Sequence, residues 1–308
     1  MPEKSPPTID AVAAERWHAL ARAPSPWLHE EVARRMQQRL SWIIEPPLQW
    51  CDWDPLRGGL EGHALVAAGL PKAAQFVCET SGASAQSAVK ARLQRPWWQA
   101  SRWLGPAQHF DNAPSPGSMQ MVWANMALHM SAQPQALIGQ WHQALSADGF
   151  LMFSCLGPDT LRELRGVYGA LGWPQPSHSF TDMHDWGDML AAAGFAEPVM
   201  DMERIILTFA APARLLRELR ELGRNLHPDR FPALRGRRWR AALEAALAEQ
   251  LADPASEGQL ALTFEVIYGH AYKPAPNVRR ERRSWTKTRT ELRAQSASQG
   301  GREGFSGE

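Results

Sequence analysis

The sequence has little cysteine and no long apolar run, which argues against a disulfide-bonded secreted protein and against a membrane-spanning one. Its 308 residues include only Cys51, Cys78 and Cys155, each in an apolar run that is typical of a buried strand or its end. An odd number of widely spaced cysteines indicates free thiols, so we expect a cytoplasmic protein. No run reaches the roughly 18 apolar residues that span a bilayer, and the polar N-terminus lacks the pattern of a secretion signal.

An excess of charge of one sign is also absent. There are 33 basic and 32 acidic side chains, a net charge of +1, so we expect no nucleic-acid or membrane partner. The chain contains no phosphate-binding loop, no GxGxxG motif and no Cys–His nucleophile pair. The spacing of His178, His184 and Asp185 fits no strong metal-ligand pattern, so we expect no metal site and interpret both histidines as residues that cap or line a loop.

Length and hydrophobic content predict one large α/β domain. A hydrophobic share of 44% over 308 residues is sufficient for a single core. We predict a disordered or loosely docked arm over residues 1–24, a domain over 25–274 with a helical insertion near 212–252, and a basic disordered tail over 275–308. The tail is either a solvated segment or a contact for an acidic partner. We expect a monomer.

Short apolar runs alternate with helix-like segments in the first half of the chain. The runs have the length of buried strands and cover Leu48 to Cys51, Gln75 to Cys78, Gln120 to Ala124 and Gly149 to Ser154. The helix-like segments are Glu30 to Leu40, Gly62 to Ala68, Ser84 to Leu93 and Pro134 to Leu145. This alternation predicts a parallel sheet with crossover helices.

The second half carries clearer boundary signals. Thr160 and Glu163 have the spacing of a capping box at a helix start, and a later helix from about Asp185 to Ala193 should end at a left-handed Gly194. Two long strands flank two amphipathic helices, which predicts an antiparallel sheet edge with a helical cover. The strands are Met200 to Phe209 and Leu260 to Ala271, and the helices are Pro212 to Leu222 and Arg237 to Leu251.

Four segments resemble a known family. They are VWANMALHM (122–130), GFLMFSCLGPDTLRELR (149–165), FTDMHDWGDMLAAAGFAEPVMDMERIILTF (180–209) and FEVIYGHAYKP (264–274). They are similar to the malonyl-acyl-carrier-protein O-methyltransferases of biotin synthesis, of β-proteobacterial type. The mitochondrial complex I assembly factors share a weaker form of the pattern. The resemblance implies a class I methyltransferase fold with a mostly parallel Rossmann-like sheet, S-adenosylmethionine as cofactor, and acyl-carrier protein as partner.

The resemblance also implies positions for the cofactor. In LQWCDWDPLRGGLEG (48–62), Asp52 stands at the acidic position, but Trp53, Asp54 and Pro55 replace the family's Gly-x-Gly, and Gly58 comes late. Glycines normally let the backbone approach the cofactor, so this loop is expected to fill part of that volume. We assign cofactor contacts to Asp52, Asp54, Gly58, Glu79, Asp111 and Asn125.

Within that set, Glu79 has the role of accepting hydrogen bonds from the ribose hydroxyls, and Asp111 that of binding the adenine amino group. Taken without the resemblance, Glu79 is interpreted first as a surface glutamate at a strand end, by the general exposure of glutamate.

A carboxylate is already a nucleophile at neutral pH, so no catalytic base is assigned. Arg162, Arg165 and His184 are the predicted acceptor-binding residues, although the arginines also have Glu163 as an ion-pair partner. His270 either faces the cleft or lies in the core. A basic patch for acyl-carrier protein, or simply a solvated face, is formed by Arg214, Arg217, Arg220, Arg224 and Arg235 to Arg240.

Three functions remain open from the sequence. The first is methylation of the malonyl carboxylate on acyl-carrier protein. The second is a binding or assembly factor on a methyltransferase fold whose loop at residues 52–59 no longer admits cofactor. The third is methylation of another small molecule or of a protein side chain.

Overall fold

A mixed eight-stranded sheet lies at the centre of the molecule. The computed structural model describes residues 9–20, 25–98, 101–253 and 256–275. Its strands are β1 Gln49–Trp53, β2 Ala74–Cys78, β3 Gln108–Asp111, β4 Met119–Ala124, β5 Leu145–Leu156, β6 Ala196–Phe209, β7 Ala252–Asp253 and β8 Gln259–Tyr272. The spatial order is β3-β2-β1-β4-β5-β8-β6, with β7 paired to β8 beside this path.

The direction of the strands divides the sheet into two parts. Strands β3, β2, β1, β4 and β5 are parallel, whereas β8 runs antiparallel to both β5 and β6. The predicted parallel sheet with an antiparallel edge is therefore confirmed. The strand order reverses at β1, because the chain continues to β2 on one side and later returns to β4 on the other. At such a reversal the carboxyl ends of the strands open a crevice for ligands.

Helices cover both faces of the sheet. They are α1 Ala11–His18, α2 Trp27–Gln38, α3 Pro55–Gly58, α4 Leu60–Gly69, α5 Ala83–Leu93, α6 Ser101–Leu104, α7 Pro134–Ala144, α8 Arg162–Ala170, α9 Met183–Ala192, α10 Pro212–Leu222 and α11 Arg237–Gln250. The last two form the predicted cover between β6 and β8. None of the helices in the described ranges combines the length and apolarity that crossing a bilayer requires.

The core has two layers because side chains alternate along each strand. Met121 and Trp123 of β4 join a cluster with α2, α4, α8, α10 and α11, whereas Val122 and Ala124 join one with α7 and α9. The three cysteines are buried in or at strands without a disulfide, as expected.

The predicted capping box at Thr160 is wrong. Helix α8 begins at Arg162 after a left-handed Leu161, and no side chain caps it. Thr160 Oγ1 instead donates to the carbonyl of Glu265, and Glu163 accepts hydrogen bonds from the amide and hydroxyl of Thr263. Long-range partners on β8 therefore replace the local cap.

The start of α9 also differs from its prediction, because Asp182 caps the helix through the amides of His184 and Asp185, two residues earlier than expected. The helix end agrees with the prediction, since Gly194 has a φ of 96°.

Residues 9–20 belong to the segment predicted as a disordered or loosely docked arm, and they contain helix α1. Asp10 caps α1 by accepting from the amide of Ala13, and its carboxylate pairs with Arg230 at 2.7 Å. Ile9 and Trp17 pack against Leu226 in a small cluster of their own. This segment therefore docks through both apolar and ionic contacts. Residues 1–8 and 21–24 of the predicted arm, and 276–308 of the predicted tail, lie outside the described residues.

Candidate functional site

A cavity of about 1000 Å³, called here the main cavity, lies at the carboxyl ends of β1 and β4, where the strand order reverses. Its floor comes from the loops after β1, β2 and β4, and its cover comes from α1 and the start of α2. Among the lining residues are Trp17, His18, His29, Trp53, Asp54, Leu56, Arg57, Thr80 and Asn125. The strand reversal therefore opens a crevice in this structure, as it generally does in sheets of this kind.

The loop after β1 contains a left-handed residue at Asp54, a backbone conformation that glycine usually occupies. Asp54 has φ 53° and ψ 52°, the left-handed conformation that aspartate tolerates better than most residues. Pro55 follows as the first residue of α3, where its missing amide hydrogen costs nothing. Trp53 packs edge-on against Trp141 with 6.3 Å between ring centroids. The main cavity stays open beside this loop, and Trp53, Asp54 and Leu56 are among its lining residues.

Asp54 is held by a chain of hydrogen bonds at the cavity wall. Its carboxylate accepts from the Thr80 amide at 2.7 Å and from Thr80 Oγ1 at 2.8 Å. The hydroxyl has one hydrogen and gives it to Asp54, so it accepts from His18 Nε2 at 2.8 Å. Burial lowers the pKa of His18, which keeps the ring neutral. This chain connects the end of β2 to the cover helix α1.

Two buried acids lie next to one another at this wall. Glu79 is 1% exposed, and its two oxygens accept from the amides of Leu56 and Ser81, both at 3.3 Å. Burial, reinforced by the Asp54 carboxylate, raises the pKa of Glu79 to about 7. Burial also raises the pKa of Asp54 to about 6. Burial destabilises the ionised form of both acids, and a cation bound beside them would offset that cost.

Asn125 and Gly58 fix the β1 loop against the end of β4. Asn125 Nδ2 donates to the carbonyls of Gly58 and His29, the latter at 2.8 Å, and its Oδ1 accepts from Ser154 Oγ at 2.5 Å. A Cβ on Gly58 would stand 2.9 Å from the carbonyl oxygen of Asn125, so this close approach requires glycine. Asn125 lines the main cavity, while Gly58 supports it from behind.

Two of the predicted cofactor residues lie elsewhere. Asp52 points to the α4 face of the sheet, where it pairs with His63 Nδ1 at 2.8 Å and both side chains are buried. Burial raises its pKa. Asp111 is exposed at the end of β3 and accepts a hydrogen bond from the Asn112 amide. Neither residue lines the main cavity, and Glu79 lies behind the lining, where it accepts from the amide of Leu56.

The predicted acceptor-binding residues are also placed outside the cavities. Arg162 pairs with Glu163 at 3.0 Å, as the alternative interpretation had it. Arg165 donates to the carbonyls of Pro158 and Thr160, and the side chain of His184 is 82% exposed. His270 packs between Phe150 and Tyr272 within the sheet.

A second cavity of about 350 Å³ adjoins the first, because Met130 and Leu222 line both. Its walls come from the end of β5, from α8 and α10, and from the loop before α9. They are mainly apolar and include Leu156, Leu161, Leu164, Tyr168, Phe180, Leu216, Leu219 and Phe264. His129, Ser177 and His178 are the buried polar members.

Sequence reasoning missed the contribution of α1 and its anchor, Arg57. The Arg57 guanidinium donates to the carbonyls of Trp17, His18 and Leu20, and lies 4.7 Å from the Trp17 ring centroid. One local signal was available, since Asp10 precedes a run of good helix formers. The docking of α1 over the cavity had no such signal, because its partners come from distant parts of the chain.

This arrangement defines a class of protein, the class I methyltransferases, by its fold. A structure from Bacillus halodurans C-125 described as a methyltransferase has a TM-score of 0.51 and 13% identity, over 80% of this chain and 100% of that one. The [4+2]-cyclase SpnF has a TM-score of 0.50 and 14% identity, over 88% and 99% of the two chains. Identities this low show the shared fold alone.

Curated relatives identify the family. The malonyl-[acyl-carrier protein] O-methyltransferase of Laribacter hongkongensis is 36% identical over 82% of this chain and 85% of its own. That of Gallionella capsiferriformans is 37% identical over 85% and 89% of the two chains. The chain belongs to the malonyl-[acyl-carrier protein] O-methyltransferase family, as its sequence segments predicted. No protein-family model matches the chain.

Proposed function

We propose that this protein transfers a methyl group from S-adenosylmethionine to the free carboxylate of a malonyl group on acyl-carrier protein, a step in the synthesis of the biotin precursor. The observation that carries the proposal is an open main cavity at the strand reversal of a methyltransferase sheet, in a chain of this family. The alternative of an inactive binding factor depended on a filled loop. With the main cavity open, no feature of the site favours that alternative.

The residues of the main cavity fit the cofactor. Its volume is at the upper end of the range for small-molecule sites, about 300 to 1000 Å³. The buried Asp54 carboxylate lines it, with Glu79 directly behind. S-adenosylmethionine carries a sulfonium and an ammonium cation, which would stabilise the ionised form of these acids. Asp54, Thr80 and His18 are the side chains that would hold it.

The chemistry demands little from side chains. When bound, S-adenosylmethionine supplies an electrophilic methyl group on a sulfonium; the acceptor carboxylate already has the lone pair that attacks it. The new oxygen–methyl bond forms as the sulfur–methyl bond breaks, and no proton moves. The protein therefore has to orient the acceptor and exclude water rather than provide a base.

Helix α1 provides that exclusion. Trp17 and His18 cover the main cavity, and Arg57 ties the end of the helix to the β1 loop. The Asp54, Thr80 and His18 hydrogen bonds tie the same helix to β2. Because these contacts join the helix to the floor of the main cavity, loss of either set is expected to open the main cavity to solvent.

Acyl-carrier protein is the proposed partner because of the arginines beside the second cavity. Arg220 and Arg224 line that cavity, and Arg217 is exposed on the same helix, α10, as Arg220. Acyl-carrier proteins are acidic, so a positive surface would attract and orient them. Arg214 contributes less, since it pairs with Glu218 at 2.6 Å.

Calorimetric titration with S-adenosylhomocysteine tests the cofactor site. We expect micromolar binding by the unmodified protein and at least a tenfold loss in Asp54→Asn, because this substitution removes the carboxylate that would pair with the ammonium group, the one cation that S-adenosylhomocysteine keeps. The matched control is Asp111→Asn, an exposed acid outside the main cavity, which should bind as the unmodified protein does. Absence of binding at millimolar ligand would overturn the proposal.

A further inference from the structure

The second cavity contains three buried polar atoms without a hydrogen-bond partner. They are Ser177 Oγ, His129 Nδ1 and His178 Nδ1, and none has a donor or acceptor within reach in the described part of the chain. Ser177 and His129 are 7% exposed and His178 is 3% exposed. Buried polar atoms in proteins are nearly always paired, so three in one cavity indicate a ligand that pairs with them.

The proton on His178 decides which kind of ligand atom fits. His178 Nε2 lies 3.0 Å from the backbone carbonyl of His129. A carbonyl only accepts, so Nε2 carries the hydrogen. Burial lowers the pKa of His178 below its ordinary value, which keeps the ring neutral. The Nδ1 atom is therefore a lone-pair acceptor, and its missing partner is an N–H or O–H donor.

This requirement excludes a carboxylate as the group beside His178. A carboxylate has only acceptor oxygens, which would face the Nδ1 lone pair. An amide satisfies the cavity better, since its N–H can donate to His178 and its carbonyl can accept from the Ser177 hydroxyl. The rest of the wall is apolar and suits the methylene groups on either side of such an amide.

The ends of the second cavity indicate how such a chain would lie. One end meets the main cavity at Met130 and Leu222. Arg220, which is exposed, and the half-buried Arg224 add positive charge to the lining. A chain with a phosphate at its outer end and a thioester at its inner end matches this distribution of charge.

We propose that the second cavity binds the phosphopantetheine arm of the acyl-carrier protein, with His178 and Ser177 pairing one of its amides. The proposal rests on the proposed function, because the malonyl acceptor is a thioester on such an arm. His178 and Ser177 are binding residues here and take no part in the methyl transfer itself. The malonyl carboxylate extends past Met130 toward the main cavity.

The test uses the full chain with S-adenosylhomocysteine present and measures two quantities. Calorimetry gives the affinity for free 4′-phosphopantetheine, and steady-state methylation gives KM and kcat for malonyl-acyl-carrier protein. The variants are His178→Phe, which keeps the ring volume but removes the acceptor, and Ser177→Ala. His178→Gln keeps an acceptor and a donor and serves as the conservative variant. The matched control is His270→Phe, since His270 also has a nitrogen without a hydrogen-bond partner in the described residues but lines neither cavity.

We expect His178→Phe to lose at least tenfold in phosphopantetheine affinity and to raise KM by a similar factor with kcat within about twofold. Ser177→Ala should show a smaller loss, His178→Gln should recover most of the affinity, and His270→Phe should match the unmodified protein. Unchanged affinity and KM in both His178→Phe and Ser177→Ala would overturn the inference while leaving the proposed function intact. If the unmodified protein binds phosphopantetheine through His178 but methylates no malonyl thioester, the proposed function fails and the site stands. If it binds no phosphopantetheine, the site fails whatever the methylation result.

Discussion

Replacing Glu79 by glutamine should change the pH dependence of stability in a defined direction. Glu79 is buried, and its pKa rises from an ordinary value of 4.5 to about 7 in the folded protein. The folded state therefore holds this proton more tightly than the unfolded chain does. By linkage, Glu79 makes the protein progressively less stable as the pH rises from the unfolded to the folded pKa. Glutamine has no proton to lose, so the variant lacks this decline.

The size of this change in unfolding free energy depends on how much of the pH range between the two pKa values, 4.5 and about 7, the experiment covers. An experiment from about pH 5.5 to pH 8 covers roughly one and a half pH units below the folded pKa of about 7. Each of these units changes the free energy of unfolding by about 1.4 kcal/mol. The advantage of Glu79→Gln over the unmodified protein should therefore grow by about 2 kcal/mol between the two pH values. Loss of a contact to the Leu56 or Ser81 amide lowers the stability of the variant at both pH values and cancels from this difference.

Urea unfolding of the two proteins without ligand, at both pH values, measures the difference. Asp111→Asn is the control for removing an acidic side chain at an exposed position. If the free-energy offset of Glu79→Gln were the same at both pH values, Glu79 would not hold its proton more tightly in the folded state, and the account of the two acids would be wrong.

Three further perturbations follow from named contacts. Gly58→Ala should destabilise the protein by about 1 to 3 kcal/mol in urea unfolding, because the new Cβ would stand 2.9 Å from the Asn125 carbonyl oxygen. The control is Gly139→Ala on α7, where a Cβ would meet no atom within 4 Å, and this variant should be neutral or stabilised by up to about 1 kcal/mol. Arg57→Ala should expose the segment around α1 to limited proteolysis and weaken S-adenosylhomocysteine binding about tenfold. The reason is that three hydrogen bonds to carbonyls and the contact with the Trp17 ring are lost. Equal proteolysis rates in the variant and the unmodified protein would contradict the role of Arg57 as anchor. Arg217→Glu should raise KM for malonyl-acyl-carrier protein several-fold at low salt and less at high salt, with unchanged cofactor binding; a salt-independent KM would count against a charged docking face.

Much of the fold could be predicted because its signals are local. Buried strands such as β4 appear as short apolar runs, and Gly194 marks a helix end through a conformation that glycine favours. The antiparallel edge could be predicted because two long strands, β6 and β8, flank the amphipathic helices α10 and α11.

The misplaced residues have long-range causes. The local partner of Thr160 was Glu163, but Thr160 pairs with Glu265, which is 105 residues away, and Glu163 pairs with Thr263. Leu145 looked helical, yet it begins β5 because it pairs with Met119. Tertiary pairing decided the structure in both cases.

The position of Asp52, unlike those of Thr160 and Leu145, could be predicted from a local pattern in the sequence. Alternation along β1 puts Asp52 on the same face as Trp50, toward α4, so a role at the strand end could have been excluded. The second cavity had no comparable signal in the sequence. Its polar residues, His129 and His178, come from two loops that meet only in the folded chain.

Methyl transfer from isotopically labelled S-adenosylmethionine to purified malonyl-acyl-carrier protein tests the central claim most directly. Mass spectrometry of the product locates the label, and acetyl-acyl-carrier protein, which has no free carboxylate, serves as the control acceptor. We expect one labelled methyl ester on the malonyl group, no product with the acetyl group, and loss of most activity in Asp54→Asn. Absence of label on the malonyl group, in a protein that binds S-adenosylhomocysteine, would contradict the malonyl carboxylate as acceptor.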